Sequence, residues 1–558
     1  MTSSLSIAVL RTRRVTRKVL AVSMLVLALL LPYTAPTPVR ADDGDLDKSF
    51  GAGGKVITDF SGGEDEATAV AIQNDGKIVA VGSTIKPFVA TNRDFALARY
   101  NADGSLDKSF GSGGKVATDF GNSDIALAVA IQQDDKIVTA GKAFKNGHSA
   151  TDTGNYFAVA RHNSDGSLDS SFGSGGKVTG DLGAADALAI QDDGRIVAAG
   201  VGLDDSPFPT PAFVVVRYNV DGSLDTSFGA SGRVTTAFFP GGAVGGGGNT
   251  VRGVVIQADG KIVAAGSAFN PVAARTTYAL ARYNSDGSLD MSFGSGGKVL
   301  SSILDDSFAI ALTIQSPNKI VVAGSASARD GSGTAFAVAR YNGDGSLDAS
   351  FGSGGKATDD FFGIGSIVRA VTFRADGEIV AAGSVPRGKK GFDFAVARYN
   401  SDGSLDTRFG EGGKVITELS SDEDDDAEAV AIQSDGQIVV AGTTDTGDEF
   451  ALARYNTEQD FALAFEPLAI NAERGTTVPV TFQIARKGGF GVNVTIAHSD
   501  TSALRIRVKP DSLSTTDTTV KFKLKIKAGA PTGQQRITFT GKSDSGLERT
   551  TTLNLVIQ

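Results

Sequence analysis

The chain has 558 residues, 53 basic against 63 acidic for a net charge of −10, and 70 glycines with neither Cys nor Trp. Without Cys there are no disulfides and no thiolate chemistry, and His148, His162 and His498 as the only imidazoles argue against a site built from several His ligands. The length accommodates two or more domains, and the acidic balance argues against nucleic acid, which needs a basic footprint.

Residues 1–41 read as a secretory signal. Arg11, Arg13, Arg14, Arg17 and Lys18 form a basic region, Val19 to Leu31 an apolar region, and Val39-Arg40-Ala41 a small-residue cleavage site. A retained membrane anchor is the rival reading, but 13 residues ended by Pro32 fall short of the roughly 20 that span a bilayer. The Arg13-Arg14 pair suggests a twin-arginine signal, yet Thr16 stands where an apolar residue is expected, so the general route is preferred. The expectation is an exported protein, secreted or held at the cell surface or periplasm, with no membrane span after cleavage. Removing six basic and no acidic residues moves the net charge from −10 to −16.

From residue 43 the chain repeats. A Ser-Leu-Asp core closes on Asp107, Asp169, Asp225, Asp290, Asp348 and Asp406, and a partial copy ends at Asp47. The spacing gives a period of about 60 residues, which must be read before any local motif. Each unit holds four short runs rich in β-formers. In the first unit they are Lys55 to Phe60, Ala67 to Gln73, Lys77 to Gly82 and Phe95 to Tyr100. Asn74-Asp75-Gly76 joins the second to the third as a hairpin turn. The third run ends in Gly and the fourth carries Arg seven times, from Gly82 and Arg99 to Gly442 and Arg454. Small sheets that cannot bury both faces alone stack radially, so the pattern predicts an all-β chain with a seven-bladed β-propeller over 42–459. A β-solenoid is the alternative, but its coils are far shorter. The seventh unit stops at Asn456 without the closing motif, while Asp43 to Asp47 supplies a near copy, so the two ends are expected to meet and close the ring.

The run Arg-Tyr-Asn-x-Asp-Gly-Ser-Leu-Asp-x-Ser-Phe-Gly-x-Gly-Gly-Lys-Val, read from Arg99 to Val116 and repeated between Asp43 and Asn456, resembles the delta-60 repeat family of exported bacterial proteins. The resemblance implies a β-propeller without an assigned activity and supplies no catalytic residues. Beyond about residue 460 the repeat vanishes. Strand runs at Thr477 to Ile484, Val492 to Ala497 and Ile537 to Thr540 suit a sandwich over 460–558, which resembles immunoglobulin-like modules of bacterial surface proteins.

Several residue patterns invite chemistry. Asn101, Asp103, Ser105 and Asp107, repeated as Asn284, Asp286, Ser288 and Asp290, put oxygens at alternate positions as a calcium loop does. The Gly falls at position 4 rather than 6 and Ser112 stands where a bidentate Glu belongs. A turn capped by Asn and Asp explains the same residues and is preferred. Seven Arg and seven Asp at fixed offsets predict structural ion pairs such as Arg99 with Asp107; the alternative is an Arg ring lining the channel. The acidic run from Asp422 to Asp426 with Glu428, and Glu64-Asp65-Glu66 in the next unit around the ring, place a carboxylate patch on the face of variable loops. Glu64, Asp65, Asp424, Asp425 and Asp426 are the candidate ligand-binding residues, for a protein or polysaccharide ligand, against the bland reading of a solvated loop. Lys521, Lys523, Lys525 and Lys527 alternate with apolar residues, which puts them on one outward face. They serve either as protection of an edge strand or as attachment to an acidic surface, a cell-envelope polymer or the propeller itself. Residues 460–558 carry a net charge of +5 against −21 for the mature part before them. No nucleophile elbow, phosphate loop or zinc signature is present. The leading expectation is a non-enzymatic exported binding or scaffold protein without a cofactor unless calcium binds; the alternative is a hydrolase or lyase with a carboxylate, calcium-assisted site.

Overall fold

The computed structural model describes residues 43–558 apart from the segments 61, 86–91, 122, 145–153, 205–209, 240–248, 316–317, 329–332, 362–364, 388–390, 421–423, 445–448, 458–459, 467–468, 488–492 and 544–547. The signal-like segment 1–41, His148, Asp422 and Glu423 lie outside the described residues. All regular elements among the described residues are strands. Residues 55 to 455 form seven four-stranded antiparallel sheets, a seven-bladed β-propeller. The first sheet runs Asp65–Ile72, Ile78–Ile85, Arg93–Tyr100, Lys115–Thr118. Its first strand and the counterparts Asp124–Ile131, Ala184–Ile190, Thr250–Ile256, Asp306–Gln315, Ile367–Phe373 and Asp425–Ile432 pack each against the next. The seventh returns to the first, so these are the inner strands around the axis.

Blade boundaries differ from the sequence expectation by one strand. Lys55–Thr58, expected to open the first blade, is the outer strand of the seventh, pairing antiparallel with Glu449–Tyr455 from Lys55↔Ala453 to Thr58↔Phe450. The conserved-looking turn therefore sits inside a blade rather than between blades. The reason is its backbone bonding: Arg99 N donates to Gly114 O, Asp107 N to Arg99 O, and Tyr100 bridges Leu106, which folds the motif back on the strand before it. The Arg-bearing strand is thus third of four, and the second sequence run lines the axis. Which loops share a face is unchanged, because strand direction still alternates.

The ends close the ring as expected. Leu46 bridges Tyr455, Gly44 N donates to Asn456 O at 2.9 Å, and Arg454 Nε meets Asp47 Oδ2 at 3.0 Å. Closure leaves no sheet edge of the ring exposed at this seam.

The interior explains the small, apolar repeat. Phe95, Ala96, Leu97 and Ala98 are all fully buried, since the third strand is covered on both faces by neighbouring sheets. Small side chains let sheets approach at close-packed density. At Gly82 a bulge between Ala67 and Ala69 brings the inner strand so near that a Cβ would lie 1.8 Å from Glu66 O. That excludes any side chain at the end of the third sequence run.

Each of the seven arginines locks three parts together. Its Nε lies 2.8–3.0 Å from the Asp of the following turn, with Asp47 serving Arg454. Its guanidinium stacks 4.5–4.7 Å over the Phe three residues beyond that Asp. Its Nη1 then reaches the next blade: Arg161 bonds Val220 O at 2.6 Å, and Arg99 and Arg282 bond Ser164 O and Gly343 O. Arg398, whose next turn is the N-terminal one, bonds Asp43 instead. A parallel ring of backbone bonds runs from Gly51 N to Asp103 O and onward to Gly410 N and Asp43 O, at 2.7–2.8 Å. Gly104 must be Gly here: at φ +84° a Cβ would meet the Phe50 ring at 2.9 Å and Gly51 N at 3.0 Å. These arginines are structural and do not line the channel.

Residues 460–557 form two sheets over a shared core. One orders Asp460–Glu466, Thr477–Lys487, Thr519–Ile526 and Ile506–Lys509; the other orders Ala469–Ala472, Glu548–Ile557, Gly533–Ser543, Val494–His498 and Ser512–Thr515. Phe482 and Phe522 of the first pack on Phe539 of the second at 5.8 and 5.3 Å. The lysine-bearing strand lies between two partners, so edge protection does not explain it.

Candidate binding site at the propeller axis

Glu66, Ala67, Thr68, Asp424, Asp426, Glu428 and Thr443 line a cavity of 420 Å³ where the inner strands of the seventh and first blades meet. The inner strand supplies it because its outward partner is the second strand and its other face is the axis. Glu66 and Asp426 hold one level, Thr68 and Glu428 the next. At the level of Thr68 and Glu428 the other blades place Leu127, Asp186, Arg252, Ile310 and Arg369. Adjacent blades pair there: Arg252 with Asp186 at 3.0 Å and Arg369 with Glu428 at 3.3 Å.

Charge at this level is perturbed by burial. Burial first, then Asp426 and Glu66, push Glu428 up to about 7 against the opposing pull of Arg369 and Arg252. Burial likewise raises Asp186 to about 6 in spite of Arg252 and Lys142. A cation beside Glu428 would favour its charged form. Glu66 is held by Arg93 at 3.0 Å, and Asp424 accepts the Phe392 amide at 2.7 Å. Among the described residues no cation pairs with Asp426. Phe308, at the same strand position as Glu66 and Asp426, is 47% exposed.

The five acids singled out from the sequence separate. Asp424 and Asp426 line the cavity. Glu64 pairs with Arg93 at 2.6 Å. Asp65 and Asp425 are fully buried and cap the incoming loop: Asp65 accepts the Phe60 amide at 2.6 Å, and Asp425 accepts Leu419 N at 2.7 Å and the Ser420 hydroxyl at 2.8 Å. They are loop anchors, since strand alternation turns them away from the axis. The sequence reading missed Glu66, Glu428, Arg369, Arg252 and Asp186 as a set. For Asp186, Arg252, Arg369 and Glu428 the signal was a charged residue recurring at one position of a mostly apolar run; Glu66 stands two positions earlier, level with Asp426.

The turns weighed as calcium loops are tied together by internal hydrogen bonds. Asp103 and Asp286 Oδ1 each accept a Ser amide at 2.9 Å and its hydroxyl at 2.6 Å. Asp107 and Asp290 accept from Ser109 and Ser292 and pair with Arg99 and Arg282, while Asn101 and Asn284 donate to Ser105 and Ser288 at 3.0 Å. Among the described residues the carboxylates that converge, within 4.8 Å, are Asp94, Asp119 and Asp124 at the junction of the first two blades. The equivalent trio Asp393, Glu418 and Asp425 takes in a guanidinium, Arg387, at 3.3 Å from Asp393 and 2.9 Å from Glu418. His162 replaces the motif Tyr, is fully buried, and sits 2.8 Å from Thr118 Oγ1. His498 belongs to the C-terminal sheets and bonds Ser499 O. No helix among the described residues is long and apolar enough to cross a membrane.

Seven segments, 73–110, 132–172, 191–228, 257–293, 315–351, 374–409 and 433–458, match the family model described as "Domain of unknown function (DUF5122) beta-propeller". No curated protein matches the chain. Among solved structures, a GH43_12 protein retrieved from capybara gut metagenome is 8% identical, covering 93% of this chain and 92% of that one at a TM-score of 0.25. A hypothetical protein from Leishmania major is 8% identical, covering 48% and 82% at a TM-score of 0.23. Domains 4 and 5 of the S-layer protein SbsC are 10% identical, covering 29% and 89% at a TM-score of 0.16. Likenesses this distant carry no argument about function.

Proposed function

We propose that this repeat β-propeller protein is an exported binding protein whose axial mouth receives a cationic group of its ligand. The observation that carries the reading is the 420 Å³ cavity lined by Glu66, Asp424, Asp426 and Glu428. Arg93 and Arg369 offset part of that charge, and the excess is negative. A ligand ammonium or guanidinium would bond Asp426 and draw Glu428 into its ionised form, gaining a charge-assisted contact shielded by the inner strands. Export rests on the signal-like segment 1–41.

The C-terminal sheets are read as an immunoglobulin-like module. Taken in chain order, strands one, three, seven and five form one sheet and nine, eight and four the centre of the other, which matches the ABED and GFC sets. The second strand pairs parallel with the last. In place of the disulfide and Trp of antibody domains, Phe465, Phe482, Phe522 and Phe539 fill the centre.

A second reading, an acid–base hydrolase or lyase, would use the pair of carboxylates Asp426 and Glu428 that line the same cavity, burial pushing the pKa of Glu428 up to about 7. Calorimetric titration of the mature chain with spermidine separates the two from a bland channel. Binding that falls at least about tenfold in Asp426→Asn and Glu428→Gln, with Asp103→Asn unaffected, supports the binding site. Equal affinity in all three variants removes it.

A further inference from the structure

The outward face of one C-terminal sheet carries a lattice of positive charge that the described residues neutralise only in part. Along Thr519–Ile526, burial alternates strictly: Val520, Phe522, Leu524 and Ile526 enter the core while Lys521, Lys523 and Lys525 stand exposed. The neighbouring strand Ile506–Lys509 repeats the pattern, with Ile506 and Val508 inside and Arg507 and Lys509 outside. Register then sets like charges directly opposite one another: Lys525 faces Arg507, and Lys523 faces Lys509. On the other side Lys521, Lys523 and Lys525 face Thr481, Pro479 and Thr477, none of them acidic. Among the described residues the acid beside this lattice is the exposed Asp511, 2.8 Å from Lys509 and attracted also by Arg507.

Like charges directly opposite one another in a sheet destabilise it. Two such pairs side by side on a face with neutral alternatives at hand are explained by a counter-charge supplied from outside. The layout says what shape that charge has. Alternate residues on a strand are about 6.8 Å apart and adjacent strands about 4.8 Å. Five cations therefore form two short parallel rails on a flat surface, which suits an extended chain with an anion on each repeat unit rather than a small pocketed anion. Lys ammoniums act as point charges that suit phosphate oxygens without demanding the planar bidentate geometry of a carboxylate.

The geometry points to Arg507, Lys509, Lys521, Lys523 and Lys525 as a docking face for a linear phosphodiester-linked polyanion. Lys527, grouped with the lysines by sequence, lies one residue past the strand, and Arg507 and Lys509 take its place in the lattice. The face lies outside the axial cavity and does not depend on it.

The test uses the mature full-length chain and poly(glycerol phosphate), with poly-glutamate and a single-stranded DNA oligonucleotide as competitors. Binding of poly(glycerol phosphate) should weaken as salt rises, with a log–log slope of about −3.5 for five neutralised phosphates. The triple variant R507Q/K523Q/K525Q should bind at least about tenfold more weakly and show a slope shallower by about 2. It removes both like-charge pairs, so it folds at least as stably as the parent, which denaturation checks. Unchanged affinity or slope in the variant overturns the assignment. Tighter binding of poly-glutamate by the same face overturns the phosphodiester commitment, whereas DNA, itself a phosphodiester polyanion, should compete.

Discussion

His162 provides a measurable test of how tightly the blades are joined. It occupies the place of Tyr100, Tyr283 and Tyr455, whose hydroxyls bond Thr58, Thr236 and Thr417 at 2.8–2.9 Å, and it meets Thr118 the same way. Being fully buried, with Nδ1 lacking a hydrogen-bond partner, its imidazole resists protonation and its pKa is lowered by burial from 6.5 to about 4. The unfolded chain binds this proton below pH 6.5 while the folded one does not until about pH 4. Stability is therefore lost as pH falls through that window, and the loss is complete below it. At 1.36 kcal/mol per pKa unit the full effect is about 3 kcal/mol, and about 2.5 kcal/mol is already lost at pH 4.5. His162→Tyr restores the motif and removes the titration. Urea unfolding of parent and variant at pH 7.5 and 4.5 isolates the term, since all other titrating groups are shared. The variant's advantage should grow by about 2 to 3 kcal/mol at the lower pH. A difference independent of pH would refute the buried, neutral imidazole.

Other outcomes follow from the same geometry. Arg282→Ala removes the pair with Asp290, the stack on Phe293 and the bond to Gly343 of the next blade, and should cost about 3 to 5 kcal/mol in urea unfolding at pH 7. Asp290, whose pKa is lowered by Ser292, Lys261 and Arg282 against the pull of burial, contributes stability present above its ordinary value of 3.8 and lost as pH falls below it. The Arg282→Ala penalty should shrink on acidification; wild-type stability at pH 7 would deny the lock. Deleting residues 43–58 removes Asp43, Asp47, Phe50 and the outer strand of the seventh blade, and should lower the melting temperature of the whole propeller rather than of one blade. An unchanged melting temperature contradicts closure.

Much of this was legible because repetition writes a structure seven times. The Gly that ends each third run, the Arg of the fourth and the Asp eight residues later recur, and the pairing of Arg99 with Asp107 follows from charge and offset alone. Blade boundaries were not legible, because the turn from Asn101 to Gly111 folds back through backbone bonds that any sequence of that length could direct either way. Alternation along Thr519–Ile526 gave the lysine face, but the position of that strand within its sheet depends on long-range pairing with Thr477–Lys487 and Ile506–Lys509. The axial site was half legible. Asp426 and Asp425 are neighbours in sequence, yet one faces the axis and the other caps a loop, a difference of one residue that decides everything in a strand. Glu428, Arg369 and Arg252 belong to three different blades, and only the ring brings them to one level.

The most direct test of the axial assignment is a crystal structure of the mature chain grown with spermidine. The account predicts an ammonium of the ligand within hydrogen-bond distance of Asp426 and Glu428, among the inner strands of the seventh and first blades. Spermidine bound only at the Asp-Gly-Ser-Leu-Asp turns on the opposite face, with the axial cavity holding solvent alone, would contradict it.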